Sequence, residues 1–376
     1  MRFKDIHGLE ATKNLLRTAV KSNHVAHAQL FASMPGAPAL LMALAYATYL
    51  NCENPTEEDA CGDCSSCSKN QKFVHPDVHF IFPVSGTKNV KPIDAESRLF
   101  LKEWRGFLLT TPHGNLNDWS EIYGGEGKKA IISTKEKKTI VNNLALKAFE
   151  GKFKIMIIWH PELMHKNAAN GILKVLEEPP ANSLFLLVSE EPDTLLTTII
   201  SRTQRLNIPT FTDQELSELL TAAHGVESSR AKQLAHLADG SLRTALYLSA
   251  QVEADNFNFF KQWMRLCHQR QMGELVDQAD EFAKLTKAAQ GTFLKYGLSI
   301  LREALVSISS TQEKLFRVEG DEKTFAANFG KVISIDQFQK LSALISEAAY
   351  HVERNINSKL LFMNLSINIS KVFSLK

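Results

Sequence analysis

The sequence predicts an α/β domain built on a parallel sheet, then a small bundle of three helices, then a larger all-helical domain. Three observations carry this. Up to about residue 210, short β-rich apolar runs alternate with helix-patterned segments, as in a parallel sheet covered by helices. At "IPTFTDQELSELL" a proline closes that alternation and a helix start follows at once. From Phe257 onward strand signals vanish and apolar residues recur only at helical spacing. The predicted domains are accordingly 1–209, 210–252 and 253–376.

Buried strands are expected at 29–32, 78–82, 154–159 and 184–189, each a short apolar run bounded by turn or polar residues. Between 85 and 128 the stretches "SGTKNVKP" and "YGGEGKK" read as a long surface excursion, helical only around 96–109. Pro209 ends the sheet domain. Thr212 and Glu215 then form a capping box, each side chain bonding the other's free backbone N–H. That helix runs to about Ala223, Gly225 stops it, and Ser228 or Ser229 starts the next. "ADGSLRTALYLSAQ" adds a glycine stop with Ser241 capping a third helix. Beyond it, Leu298, Leu301 and Leu305, then Leu361, Leu365, Ile369 and Val372, mark apolar faces among at least four helices. Cys267, near Trp263 and Leu266, reads as a small buried hydrophobe.

Composition narrows the function classes. With 44% hydrophobic and 22% charged residues the chain is an ordinary globular one, and 376 residues suffice for two or three domains. The opening "MRFKDIHGLE" is charged where a secretory signal needs an apolar run. No apolar stretch approaches the roughly 20 residues that span a bilayer, so a cytoplasmic protein is expected. A net charge of +2 without a dense basic helix argues against a dedicated DNA-binding module. Lys128, Lys129, Lys135, Lys137 and Lys138 form the one local basic cluster and read as a solvated face.

Five cysteines in a reducing compartment point to metal or thiol chemistry rather than disulfides. Cys52, Cys61, Cys64 and Cys67, spaced C-x8-C-x2-C-x2-C in "CENPTEEDACGDCSSC", can close a tetrahedral thiolate shell around Zn²⁺. Gly62 eases the tight turn. A closed shell leaves no position for water, so the zinc is expected to be structural.

"HAQLFASMPGAPALLMALAYATYL" (27–50) runs strand, Pro–Gly turn, helix, which is how a phosphate-binding loop is laid out. Its chemistry is missing. In the register G-x-x-x-x-G-K-[ST], Ser33 stands for the first glycine and Pro38 for the second. Ala39 takes the place of the lysine, and Leu40 that of the magnesium ligand. A triphosphate thereby loses its cation and its metal, the main electrostatic partners of that loop.

These segments resemble, in order, motifs of the bacterial clamp-loader subunits of the AAA+ class. The loop is similar to their HAYLF-x-G-P-x-G-x-G-K-T, and the cysteine module follows at the same place. "AANGILKVLEEPP" (168–180) resembles A-x-N-A-L-L-K-x-L-E-E-P-P, and "TTIISRTQRLNIP" (197–209) resembles T-I-x-S-R-C-Q. "GSLRTAL" (240–246) is similar to G-S-x-R-x-A-L, and "RNINSKLLFMNLSI" (354–367) to the N-x-N-x-x-L of the last helices. The resemblance implies an AAA+ (P-loop NTPase-like) α/β domain with an inserted zinc module (52–67), a three-helix lid and an α-helical collar for oligomerisation.

What the resemblance implies about the site follows residue by residue. In "KIMIIWHPELM", Trp159 and His160 stand at the two acidic positions of the family's h-h-h-h-D-E strand, with Glu162 further on and aimed elsewhere. Both halves of a nucleotide site are thus altered, and no ATP is expected on this chain. That resembles the delta-prime class; a gamma/tau-type ATPase with a divergent pocket is the alternative. Arg202, after Ser201, matches the arginine presented at a subunit edge to a neighbour's γ-phosphate, a finger supplied in trans. Thr203 replaces the usual cysteine. Arg243 matches a lid arginine that contacts nucleotide in active relatives; here it is expected to brace the lid by charged hydrogen bonds. Glu177 and Glu178, adjacent on a helix that Pro179 and Pro180 end, read as a turn signal rather than an acid–base pair. His160 is given no role. Implied partners are gamma/tau ATPase and delta subunits of DNA polymerase III and, through the complex, the sliding clamp and primer–template DNA.

Overall fold

Parallel strand pairing organises the first part of the chain. The computed structural model describes residues 1–250, 256–309, 320–352 and 356–374. Among these, β1 (Ala28–Ser33), β2 (Val78–Ile81), β3 (Lys154–Trp159), β4 (Ser183–Ser189) and β5 (Gln204–Ile208) form one sheet in the order β2-β3-β4-β1-β5. Every pairing is parallel; Leu30 of β1, for example, lies opposite Leu187 of β4 and Arg205 of β5. Four strands are the apolar runs expected. The fifth was not in that set, because "QRLNI" carries mostly exposed residues. An edge strand meets a neighbour on one side only, so it needs no continuous apolar run.

Helices α1 (Glu10–Lys21), α2 (Ala39–Leu50), α3 (Ser65–Gln71), α4 (Leu101–Thr110), α5 (Leu116–Tyr123), α6 (Glu136–Ala145), α7 (Lys166–Glu177) and α8 (Thr197–Ile200) accompany the sheet. Apolar on all sides, α2 is buried at every position and packs against β1, β3 and β4. Ile140 and Leu144 of α6 and Ile172 and Leu176 of α7 share a core with Leu30, Met156, Ile158 and Phe185.

Residues 85–128 are not a surface excursion. Trp104 and Phe107 of α4 and Trp119 of α5 are fully buried. Phe82 stacks on Trp104 with ring centroids 4.2 Å apart, and Trp119 meets Trp104 edge-on at 5.1 Å. The Trp119 Nε1–H donates to the Pro83 carbonyl at 2.8 Å. The polar turns at either end mask a segment whose aromatic rings bury far more surface than those turns expose. The five lysines read as a solvated face are indeed exposed, although Lys135 lies 3.0 Å from Asp94.

A buried carboxylate pins the sheet's entry side. Asp77 accepts from the backbone N–H groups of Phe149 (2.7 Å), Glu150 (2.9 Å) and Gly151 (2.8 Å), with Lys154 Nζ 4.0 Å away. Burial pushes its pKa up, but the three amides outweigh this and hold it below the ordinary value. A depressed folded-state pKa gives stability that is present above the unfolded value of about 3.9 and is lost as pH falls through the folded value. Asp77→Asn is therefore expected to destabilise the fold at pH 7 by about 1–3 kcal/mol. In urea titrations the substitution should also flatten the loss of stability below about pH 4. Equal midpoints for both chains at pH 7 would remove this role from Asp77.

The capping box forms as read. Glu215 N–H donates to Thr212 Oγ1 at 3.2 Å and Thr212 N–H to Glu215 Oε2 at 2.9 Å, starting α9 (Asp213–His224), which Gly225 ends at φ +66°. Helix α10 (Ser228–Leu237) is capped differently from the expectation: the Glu227 carboxylate, not Ser228 or Ser229, accepts from Ser229 N–H and Arg230 N–H at 3.0 and 3.1 Å. A carboxylate one residue earlier reaches the same free amides. Ser241 Oγ accepts from Thr244 N–H at 3.2 Å at the start of α11 (Leu242–Ala250).

The chain divides into two compact units: Met1–Gly225 with Asp239–Thr244, and Val226–Ala238 with Ala245–Lys376. Beyond α11 the described residues of the second unit form α12 (Asn256–Gln269), α13 (Met272–Lys284), α14 (Lys287–Ser309), α15 (Gly320–Val332), α16 (Ile335–Val352) and α17 (Ser358–Val372). Its core is aromatic: Phe362 stacks on Trp263 and Phe282 at 4.7 and 4.6 Å. Trp263 Nε1–H donates to Ser366 Oγ at 2.8 Å. Cys267 is buried among these residues, and burial pushes its thiol up to about 12. Arg354 and Asn355 of the tail motif, and residues 251–252 of the predicted three-helix bundle, lie outside the described residues.

Candidate functional site

The degenerate loop joins β1 to α2. Ser33 Oγ donates to the Ser189 carbonyl at 3.3 Å, and Ala37 N–H donates to the Met34 carbonyl at 3.2 Å, closing a tight turn. Gly36 sits at φ +89°, where a Cβ would also lie 2.6 Å from Ser241 Cβ. Ser241 thus rests directly on the loop. Pro38 precedes the helix without a side-chain cap, and Ala39 and Leu40 are only 2% and 7% exposed. Where a phosphate loop offers an ammonium and a hydroxyl, this one offers an alanine and a leucine already committed to packing.

The end of β3 is equally apolar. Trp159 packs 5.1 Å from Trp104 and 5.7 Å from Phe107, so α4 fills the space beside this strand end. His160, at φ +51°, is buried, and its Nδ1 lies 2.8 Å from Glu162 Oε1. Glu162 does not aim elsewhere, as expected from its spacing. A 3-10 turn at Pro161–Leu163 folds it back onto His160. Burial pushes the Glu162 carboxyl up, but the hydrogen bond from the imidazole outweighs it and holds the group below its ordinary value. His160 Nε2 has no hydrogen-bond partner among the described residues.

Arg243 is held by Asp118. Its Nη2–H donates to Asp118 Oδ1 at 2.5 Å and its Nε–H to Oδ2. Asp118 is itself fixed, accepting from Asn115 N–H at 2.9 Å within the capping box of α5. The acid comes from α5, within the 85–128 segment whose polar turns suggest a surface excursion. "NLND" signals a cap, and nothing in it signals an arginine 125 residues away.

Arg202 follows α8, a short helix in place of an apolar run leading into a strand. Its Nε–H donates to Glu177 Oε1 at 2.6 Å, and Nη2–H donates to the same oxygen. Nη1–H groups reach the Thr198 carbonyl at 2.9 Å and Ser201 Oγ at 3.3 Å. Thr203 Oγ1 donates to the Ile199 carbonyl at 3.1 Å, which ties the turn down. Glu177 is therefore more than a turn signal: as the last residue of α7 it is the acid that meets Arg202.

The four cysteines converge. Their Sγ atoms all lie within 4.8 Å of one another, with Cys52–Cys61 at 3.5 Å and Cys61–Cys67 at 3.9 Å. A tetrahedral shell with Zn–S bonds of about 2.3 Å needs sulfurs about 3.8 Å apart, so the group fits a metal. Backbone N–H groups of Asp63 and Cys64 hold the Cys61 thiol down to about 6, whereas burial pushes Cys52 and Cys67 up. A central cation is what would let all four ionise together. Gly62, at φ +90°, lies so close to Arg2 that a Cβ would sit 2.1 Å from its Nη1.

Residues 8–212 match the family described as DNA polymerase III, delta subunit, a span that runs from before β1 to past β5 and covers more than half of the chain. The chain belongs to the DNA polymerase III delta subunit family. This family member is 27% identical over 257 residues to the DNA polymerase III subunit tau of Salmonella typhimurium, a match covering 67% of this chain and 33% of that protein. It is 28% identical over 227 residues to the DNA polymerase III subunit delta' of Pseudomonas aeruginosa, covering 60% of this chain and 56% of that one. With the delta' subunit of Escherichia coli it shares 28% over 176 residues, or 47% and 40% of the two lengths. The chain thus spans about a third of the tau relative's length. No described helix of this family member is long and apolar enough to cross a membrane.

Proposed function

We propose that this chain is a delta-prime-type, non-hydrolysing subunit of a DNA polymerase III clamp loader, an AAA+ chain working in the cytoplasm. One observation carries the reading. The positions that would grip a triphosphate hold Ala39, Leu40 and Trp159, all buried in apolar contacts. Ser241 on Gly36 and Asp118 on Arg243 support it, because the loop and the lid arginine are both occupied by the chain's own groups. In this reading residues 210–252 are the lid and 253–376 the collar that joins gamma/tau-type ATPase and delta subunits. Arg202 acts in trans on a neighbouring ATP site, and the complex opens and loads the sliding clamp on primed DNA. Zn²⁺ at Cys52, Cys61, Cys64 and Cys67 is structural.

Calorimetry with Mg²⁺–ATP and the isolated full chain tests the central point. No heat of binding is expected at nucleotide concentrations up to about 1 mM, since neither the cation nor the metal ligand of the loop is present. A micromolar dissociation constant would overturn the reading and return the chain to the gamma/tau-type ATPases.

A further inference from the structure

Arg202 serves a neighbour's nucleotide only if its N–H groups are available, and in this chain most are taken. A guanidinium carries five N–H groups and no acceptor. Two are directed at Glu177 Oε1, from Nε and Nη2, and Nη1 serves the Thr198 carbonyl and Ser201 Oγ. The one remaining cannot form the two-pronged grip by which arginine holds phosphate.

The partners differ in kind. Thr198 and Ser201 belong to the same turn as Arg202 and travel with it. Glu177 arrives from the end of α7, 25 residues earlier in the chain, and takes the Nε–Nη2 edge. Arg202 and Glu177 are 31% and 47% exposed. An ion pair that open to water is weak, and a magnesium-bound triphosphate brings several negative charges where Glu177 brings one.

We propose that Glu177 is a latch on Arg202. It holds the guanidinium in cis while no neighbouring nucleotide is near and gives it up when a polyphosphate closes in. The latch rests on the trans-finger reading of Arg202, and the experiment below separates the two.

The full chain is reconstituted with its ATPase and delta partners, and steady-state ATP hydrolysis is followed at subsaturating nucleotide. Glu177→Gln keeps the side chain's shape and removes its charge. Turnover at the site served by Arg202 is expected to rise about two- to fivefold, the range that a weak surface pair can withhold. Arg202→Ala should lower turnover, and the double variant should match Arg202→Ala alone, because a latch has no effect without what it holds. If Glu177→Gln leaves turnover unchanged or lowers it while Arg202→Ala still lowers it, the latch is wrong and the finger stands. If Arg202→Ala has no effect, the finger reading fails and the latch with it. The pair itself is read in the isolated chain by NMR: the Arg202 Nε–H resonance should lie downfield and return toward the free-arginine position in Glu177→Gln. Superimposable Arg202 resonances in the two chains would also overturn the latch.

Discussion

On the proposed trans-finger role, Arg202→Ala is expected to slow ATP hydrolysis at the neighbouring site it would serve by about 10³-fold or more, the scale on which arginine fingers act in phosphoryl transfer. The size of the effect follows from where the charge sits. A guanidinium aimed at the transferring phosphoryl group is preorganised for charge that exists fully only in the transition state, so its loss falls on the rate rather than on binding. Arg202→Lys should recover only part of the rate, since an ammonium is a point charge without the planar fork. Total turnover of the assembly falls by that site's share, so single-turnover kinetics is the more direct readout. Arg202 is partly exposed and its turn is independently tied by Thr203, so the chain should still fold and assemble. Full hydrolysis by an intact complex carrying Arg202→Ala would disprove the assignment.

Loss of the zinc proposed at Cys52, Cys61, Cys64 and Cys67 is the second large effect expected. Protein purified without chelator should carry one zinc ion per chain by elemental analysis, and Cys67→Ser should carry none. Structural zinc supplies about 10–16 kcal/mol of apparent folding energy in isolated finger peptides. Here the share is smaller, because the end of α2 and the start of α3 are also held by packing. The damage should therefore be local first. Backbone amides of residues 52–71 should lose protection from hydrogen exchange, and the melting temperature of the sheet unit should fall by several degrees. The N-terminus should loosen with the module, since the Asp59 carboxylate accepts from Phe3 N–H and Lys4 N–H at 3.1 and 2.9 Å. A metal-free wild-type chain, or a Cys67→Ser chain with unchanged exchange, would rule the zinc module out.

Much of the molecule was legible in the residues because local physics decides it. Four strands are mainly apolar runs: β1, β3 and β4 are central and covered on both faces, and β2, at the other edge of the sheet, is buried at three of its four positions. The capping box at Thr212 and Glu215, the glycine stop at Gly225 and the cysteine spacing each express geometry contained within a few residues. So does the loop after β1, where Ala39 and Leu40 stand at the positions a phosphate loop gives to lysine and a hydroxyl residue. The fifth strand stayed hidden because most of its residues are polar and only Ile208 is buried.

What the chain alone determined, then, is where four of its strands lie, its cysteine cluster and which residues stand in the loop after β1. The tertiary structure decided which acid meets which arginine, Glu177 for Arg202 and Asp118 for Arg243, and that residues 85–128 wall off the end of β3 with Trp104 and Phe107. These pairings join side chains 25 and 125 residues apart. A salt bridge leaves no periodic mark on a sequence, since its partners are brought together by the packing of other residues and not by their own spacing.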